Sequence, residues 1–176
     1  MIAFVLSGGG NHGALQVGAL RALLEKNIAP DLVVGTSAGA INAAFYAMRP
    51  TLDSIDLLAA QWRAAASAKL YPENQLQVVL RLLTSQASLY SNENLRRFFE
   101  ASIPDGARTF GDIHHPRLFI TATHLDSAEL HLYGDDPKET ILDALMSTTA
   151  LPPLSPPWRG ADGKLHIDGG VISDLP

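Results

Sequence analysis

The sequence has no cysteine among its 176 residues. That excludes disulfide frameworks, thiol nucleophiles and Cys-ligated zinc together, and it leaves the compartment open. Basic runs are equally scarce. None exceeds Arg96-Arg97, and 13 Lys and Arg against 18 Asp and Glu leave a net charge of −5. Nucleic acid therefore finds no electrostatic footprint, and the acidic balance gives no general pull toward anionic membranes. No basic segment precedes the apolar start Ile2–Leu6, which is too short for the core of a signal peptide. The uncharged run Leu32 to Met48 is broken by Gly35 and Gly39, so no transmembrane segment is expected there. The expected location is cytoplasmic, with peripheral contact to a membrane compatible with it. With 47% hydrophobic and 18% charged residues, the chain is not disordered by composition. Its length is that of one domain, residues 1–176.

What is present is an α/β pattern. Ile2–Leu6 is a continuous apolar run of the kind buried on both faces of a parallel sheet, and it ends in Ser7-Gly8-Gly9-Gly10. A helical pattern follows, with Val17, Leu20 and Leu24 on one face and Gln16, Arg21 and Glu25 on the other; Asn27 and Pro30 stop it. Asp31–Val34 reads as a second strand, and Gly35-Thr36-Ser37-Ala38-Gly39 opens a second helix toward Met48. Residues 51–104 carry only helical signals: Leu52–Ser67, Gln75–Thr84, and a helix capped by Ser91 that presents Leu95, Phe98 and Phe99. Arg117–Thr123 and Glu129–Tyr133 form a strand pair around Asp126-Ser127. Lys138–Ser147 reads as a short helix, Leu151–Pro157 as a stiff extended connector, and Lys164–Ile167 as a last strand. The fold class is α/β: a mainly parallel sheet flanked by helices, with a helical insertion at 51–104.

Three motifs carry candidate chemistry. Gly35-Thr36-Ser37-Ala38-Gly39 is a G-x-S-x-G at a strand-to-helix turn. A nucleophilic serine must stand clear of the sheet on a sharp turn, which flanking glycines permit, and the helix start places N–H groups beside it. Gly8-Gly9-Gly10-Asn11-His12-Gly13 follows the first strand and satisfies G-x-G-x-x-G. A dinucleotide site would also need an acid at the end of the second strand, and that place is Gly35-Thr36-Ser37. Such a loop can instead hold an oxyanion on backbone N–H groups. Asp168-Gly169-Gly170 places a carboxylate at the end of the last strand. Each motif alone has a plain alternative: a tight packing turn for the first, an ordinary β-turn for the last.

In this order the three motifs resemble the patatin-like phospholipase family, across essentially the whole chain. Gly18–Glu25, Leu89-Tyr90, the approach Ser147–Pro157 and Val171–Pro176 fit the same pattern. The resemblance implies a serine acyl-ester hydrolase acting on phospholipids or other lipid esters. Ser37 would be the nucleophile, Asp168 its only catalytic partner, and Gly8, Gly9 and Gly10 the oxyanion donors, with His12 and Gly13 completing the loop. Gly35 and Gly39 belong to the nucleophile motif, Gly169 and Gly170 to the acid motif. No cofactor and no metal are expected; the expected partner is a lipid or other ester, met at a membrane surface. A carboxylate of ordinary pKa is a poor base for serine, so the site must bury Asp168 and bind the oxyanion strongly. Two departures stand out. The family commonly has Arg or Lys at the position of His12, and a histidine, unlike arginine, changes charge near neutral pH. Family chains also continue past the equivalent of Pro176, so this chain is expected to be C-terminally incomplete.

Other readings remain. A Ser–Asp–His triad would nominate Asp162 and His166, although His166 alternates with Ile167 in a strand and Ser37 comes early for that fold. His114-His115 and the pair His124 and His131 are expected to be surface or packing residues, since no helical His pair supports a metal. Gln75–Leu89 is apolar enough to line an acyl pocket or a core. A catalytically silent module of the same family, binding lipid or protein, is the alternative to an enzyme.

Overall fold

The computed structural model describes residues 1–67, 88 and 90–176. Two strand–helix units open the chain: β1 (Ala3–Leu6), α1 (Gly13–Glu25), β2 (Leu32–Thr36) and α2 (Ala38–Met48). Asn27, at φ 58°, turns the chain out of α1, a backbone conformation that asparagine tolerates better than most residues. Next come α3 (Leu52–Ser67), α4 (Glu93–Ser102), β3 (Arg117–His124), β4 (Leu130–Tyr133), α5 (Ile141–Thr148), β5 (Trp158–Arg159) and β6 (Leu165–Asp168). Asn92 rather than Ser91 precedes α4, yet the Ser91 hydroxyl still accepts the Glu93 N–H. The expected helix at Gln75–Thr84 lies outside the described residues, as does nearly all of the apolar stretch to which it belongs. Residues 151–157 do not run extended. The Ser155 N–H reaches back to the Leu151 carbonyl at 2.9 Å, and Ser155 is buried. Proline fixes φ but leaves ψ free, so a proline-rich stretch can turn as readily as it can extend.

The sheet is mixed. β1, β2 and β3 are parallel, and β4, β5 and β6 join antiparallel. Ile120 and Thr121 of β3 pair with both β2 and β4, whereas Ala122 and Thr123 pair with both β4 and β6. A strand has only two edges, so β2 and β6 share one edge of β3, end to end and running toward each other. Thr36 lies opposite Thr121 and Asp168 opposite Ala122, consecutive residues of β3. The carboxyl ends of β2 and β6 therefore meet.

Helices α2 and α5 pack on the sheet; α1 and α3 pack against α2, and α4 against α5. Helix α2 approaches closely because most of its buried positions are small: Ala38, Gly39, Ala40, Ala43, Ala44 and Ala47, with Tyr46 the large one. Val33 and Ile120 from the sheet, Leu20 and Ile55 from the outer helices, and Ile141, Leu145 and Phe99 complete the core. Helix α2 also buries the polar Asn42. Its amide donates to the Gly13 carbonyl and to Gln16, and its oxygen accepts the Trp62 indole N–H, each at 2.8 Å. Gln16 in turn donates to the Ser7 carbonyl at 2.8 Å. This half-buried relay ties the glycine loop to α2.

Candidate active site

Ser37 occupies the single-residue junction between β2 and α2, with φ 52° and ψ −120°. This is a costly backbone for a residue with a side chain, and it persists only where the surroundings impose it. They do so here. A Cβ on Gly35 would stand 2.6 Å from the Ala40 nitrogen, and one on Gly39 would overlap the Leu6 carbonyl. The Ser37 N–H donates to the Thr148 hydroxyl at the end of α5, 2.8 Å away. The turn is thus locked from both sides, and Ser37 is left half-buried above the sheet.

The Ser37 hydroxyl donates to Asp168 Oδ2 at 2.6 Å, across 131 residues of sequence. The other carboxylate oxygen accepts the Gly170 N–H at 2.8 Å. Burial pushes the Asp168 carboxyl above the ordinary carboxylate range. The negative charge of Asp174 pushes the same way, while the bonds from Ser37 and Gly170 offset part of the effect. A carboxylate raised in this way is a stronger base than a solvated one. Gly169 packs on Thr121, and a Cβ on Gly170 would lie 3.1 Å from Asp168 Oδ1 and 3.2 Å from Asp174 Oδ1.

The glycine loop lies beside the serine. A Cβ on Gly8 would be 3.5 Å from Ser37 Cβ. The Gly8 N–H itself donates to the Asp174 main-chain carbonyl at 3.0 Å. Gly9 and Gly10 are exposed, at φ 134° and 55°, and their N–H groups donate to no residue among those described. His12 is exposed at the entry to α1, and Gly13 is buried against Trp62 and Ala38. At the start of α2, the Ala38 N–H is one of the unpaired donors of a helix terminus. Sequence reasoning missed three residues of this site: Thr148, Asn42 and Asp174. Nothing in a lone threonine, asparagine or aspartate marks a role that depends on residues far away in sequence.

Asp162 and His166 do meet, with His166 Nε2 3.1 Å from Asp162 Oδ1. They do not form a triad with Ser37, whose hydroxyl goes to Asp168. His124 and His131 lie against His166 rather than apart, and burial together with the neighbouring imidazoles lowers His131 to about 4.

Residues 4–176 match the family model described as Patatin-like phospholipase. The chain is 32% identical to rat Patatin-like phospholipase domain-containing protein 7, covering 99% of this chain and 12% of the relative. It is also 32% identical to Neuropathy target esterase sws of Drosophila melanogaster, again over 99% of this chain and 12% of the relative. The chain thus spans about an eighth of the curated relatives it matches. Among solved structures, VipD from Legionella pneumophila superposes with a TM-score of 0.64 at 20% identity, covering 99% of this chain and 47% of VipD. That likeness shows the fold. No helix among the described residues is long and apolar enough to cross a membrane.

Proposed function

This chain belongs to the patatin-like phospholipase family, and we propose on that premise that it is a serine acyl-ester hydrolase working through a Ser37–Asp168 dyad. One observation carries the reading. The Ser37 hydroxyl, on a constrained turn, donates 2.6 Å to a buried carboxylate of raised basicity. Ser37 Oγ attacks the ester carbonyl carbon as its proton passes to Asp168 Oδ2. The Ala38 N–H and the free N–H groups of Gly9 and Gly10 hold the resulting oxyanion. Gly8 closes the loop against Asp174 instead of serving as a third free donor. Collapse breaks the ester C–O bond, and Asp168 returns the proton to the leaving oxygen. Water, deprotonated by Asp168, then attacks the acyl-enzyme, releasing the acid and regenerating Ser37.

An acyl chain has a place to lie. Ile41 follows Ser37 by one helical turn and so shares its side of α2. It lines an apolar cavity with Leu58, Trp62, Leu95, Phe98 and Phe99. A second cavity shares Leu58 and Gln61 and is lined further on by Phe45 and Met48, so the two follow α2 from Ile41 for about 10 Å. The helices of the 51–104 region thus form the far wall of the acyl site. The test is hydrolysis of p-nitrophenyl acyl esters by the parent and by Ser37→Ala. The variant is expected to lose about 10³-fold or more while keeping the parent's circular dichroism. A Ser37→Ala protein that turns over at the parental rate would remove the proposal.

A further inference from the structure

Beyond the dyad, the inner face of the sheet carries a second cluster of chemically competent side chains. His124 ends β3, His166 lies opposite it in β6, and Asp162 stands in the turn between β5 and β6. We propose that His124, Asp162 and His166 form a binding site for a divalent transition-metal ion, zinc above all, which clamps this turn and β6 to β3.

Three independent observations support the site. One donor atom from each of these residues lies within 4.8 Å of the others. His166 Nε2 and Asp162 Oδ1, at 3.1 Å, already stand at about the separation of two ligands in a tetrahedral zinc shell. Second, a buried polar atom is stranded here. His124 is 8% exposed, and its Nδ1 has no hydrogen-bond partner among the described residues. A buried polar atom left unpaired costs free energy and calls for an explanation. Third, the backbone leaves room at this point. A Cβ on Gly160 would fall 2.8 Å from Asp162 Oδ1 and 2.9 Å from His166 Nε2, in the space the two ligands face.

The donor set selects the ion. Two imidazoles and a carboxylate suit zinc and its neighbours rather than magnesium or calcium, which take oxygen ligands. The His131 ring, with its centroid 4.8 Å from that of His124 and 5.0 Å from that of His166, adjoins the site as a further imidazole. Its Nε2 faces Glu139 Oε1 at 3.8 Å, the kind of carboxylate partner that orients a ligating histidine. The ion would sit two residues before Asp168 on the strand that delivers it to Ser37. Its predicted role is to brace the catalytic strand, without touching the ester.

The experiment titrates Co²⁺ into the full chain, stripped of metal by chelation, and then titrates Zn²⁺ against it. One equivalent of Co²⁺ is expected to give the visible absorption of a low-coordinate site, and one equivalent of Zn²⁺ to abolish it. Zn²⁺ at about 100 times its Kd is expected to raise the melting temperature by about 5 °C or more. Asp162→Asn keeps the bond from the Lys164 N–H yet removes the charge, and Gly160→Ala fills the cradle. Both, together with His124→Gln, are expected to weaken Co²⁺ binding at least tenfold. His114→Gln/His115→Gln, which alters the exposed vicinal pair, is expected to bind as the parent does. The proposal is overturned if the parent shows neither the band nor the shift. It is equally overturned if the band survives Asp162→Asn and His124→Gln, or disappears in the His114/His115 variant.

Discussion

Replacing Asp168 by asparagine separates a catalytic carboxylate from a structural one. The change conserves volume. Asparagine Oδ1 can keep the 2.8 Å bond from the Gly170 N–H, and its amide can face Ser37 at the 2.6 Å position. Only the base is removed. General-base catalysis contributes about 10²- to 10⁴-fold, so kcat/KM for a p-nitrophenyl ester is expected to fall by that much. Stability should move the other way. The folded-state carboxyl is raised by burial, so folding favours its protonated form. That contribution is complete below the unfolded-state pKa and is lost as pH rises through the folded-state value. At pH 7.5 the ionised Asp168 is therefore a net cost that asparagine does not carry. A gain of about 1 kcal/mol corresponds to about 2–4 °C in a chain of this length, so the variant should melt level with the parent or up to about 4 °C above it. The gap should close as pH falls and the parent's carboxyl protonates. Thermal melts from pH 4.5 to 8, paired with initial rates, read both effects. Parental activity in the variant would refute the reasoning, as would a melting temperature lower by more than about 5 °C with the activity loss secondary to it.

Further predictions follow from the same geometry. Thr148→Val leaves the Ser37 N–H without its acceptor, at a cost of about 1–3 kcal/mol; melting should fall by several degrees and kcat by at least tenfold, with KM little changed. Asp174→Asn removes a charge that raises the Asp168 carboxyl, so the acidic limb of the kcat/KM profile should shift to lower pH, and 0.5 M salt should shrink the difference between variant and parent. Gly39→Ala drives a Cβ into the Leu6 carbonyl and should lower stability by more than about 3 kcal/mol, read by urea denaturation. By contrast, Gly18→Ala, at an exposed position of α1, meets nothing within 4 Å and should stabilise by about 0.5–1 kcal/mol in the same assay.

The local parts of the site were legible in the sequence because local chemistry determines them. A serine between two glycines at a strand-to-helix junction can hardly be arranged otherwise, and the order of the three glycine-bearing motifs carried the family resemblance. Long-range pairing was not legible. That β6 runs antiparallel and meets β2 end to end depends on the registers of both strands against β3, which no window of sequence contains. For the same reason the closure of the Gly8 N–H by Asp174 was not foreseen, nor the anchoring of Ser37 by Thr148. The histidines were expected as surface or packing residues, and His124, His131 and His166 do pack together. What no sequence window contained is that they come from strands β3, β4 and β6 and are brought together by register. The turn at Leu151–Ser155 was missed because proline content restricts φ and says little about ψ.

The central claim is that Ser37 is a nucleophile activated by Asp168. Fluorophosphonate labelling followed by intact-mass and peptide mapping tests it most directly, on the parent, Ser37→Ala and Asp168→Asn. The account predicts one adduct per parent chain, located on Ser37, no adduct on Ser37→Ala, and strongly slowed labelling of Asp168→Asn. A folded parent that takes up no label, or carries it on another residue, would contradict the account.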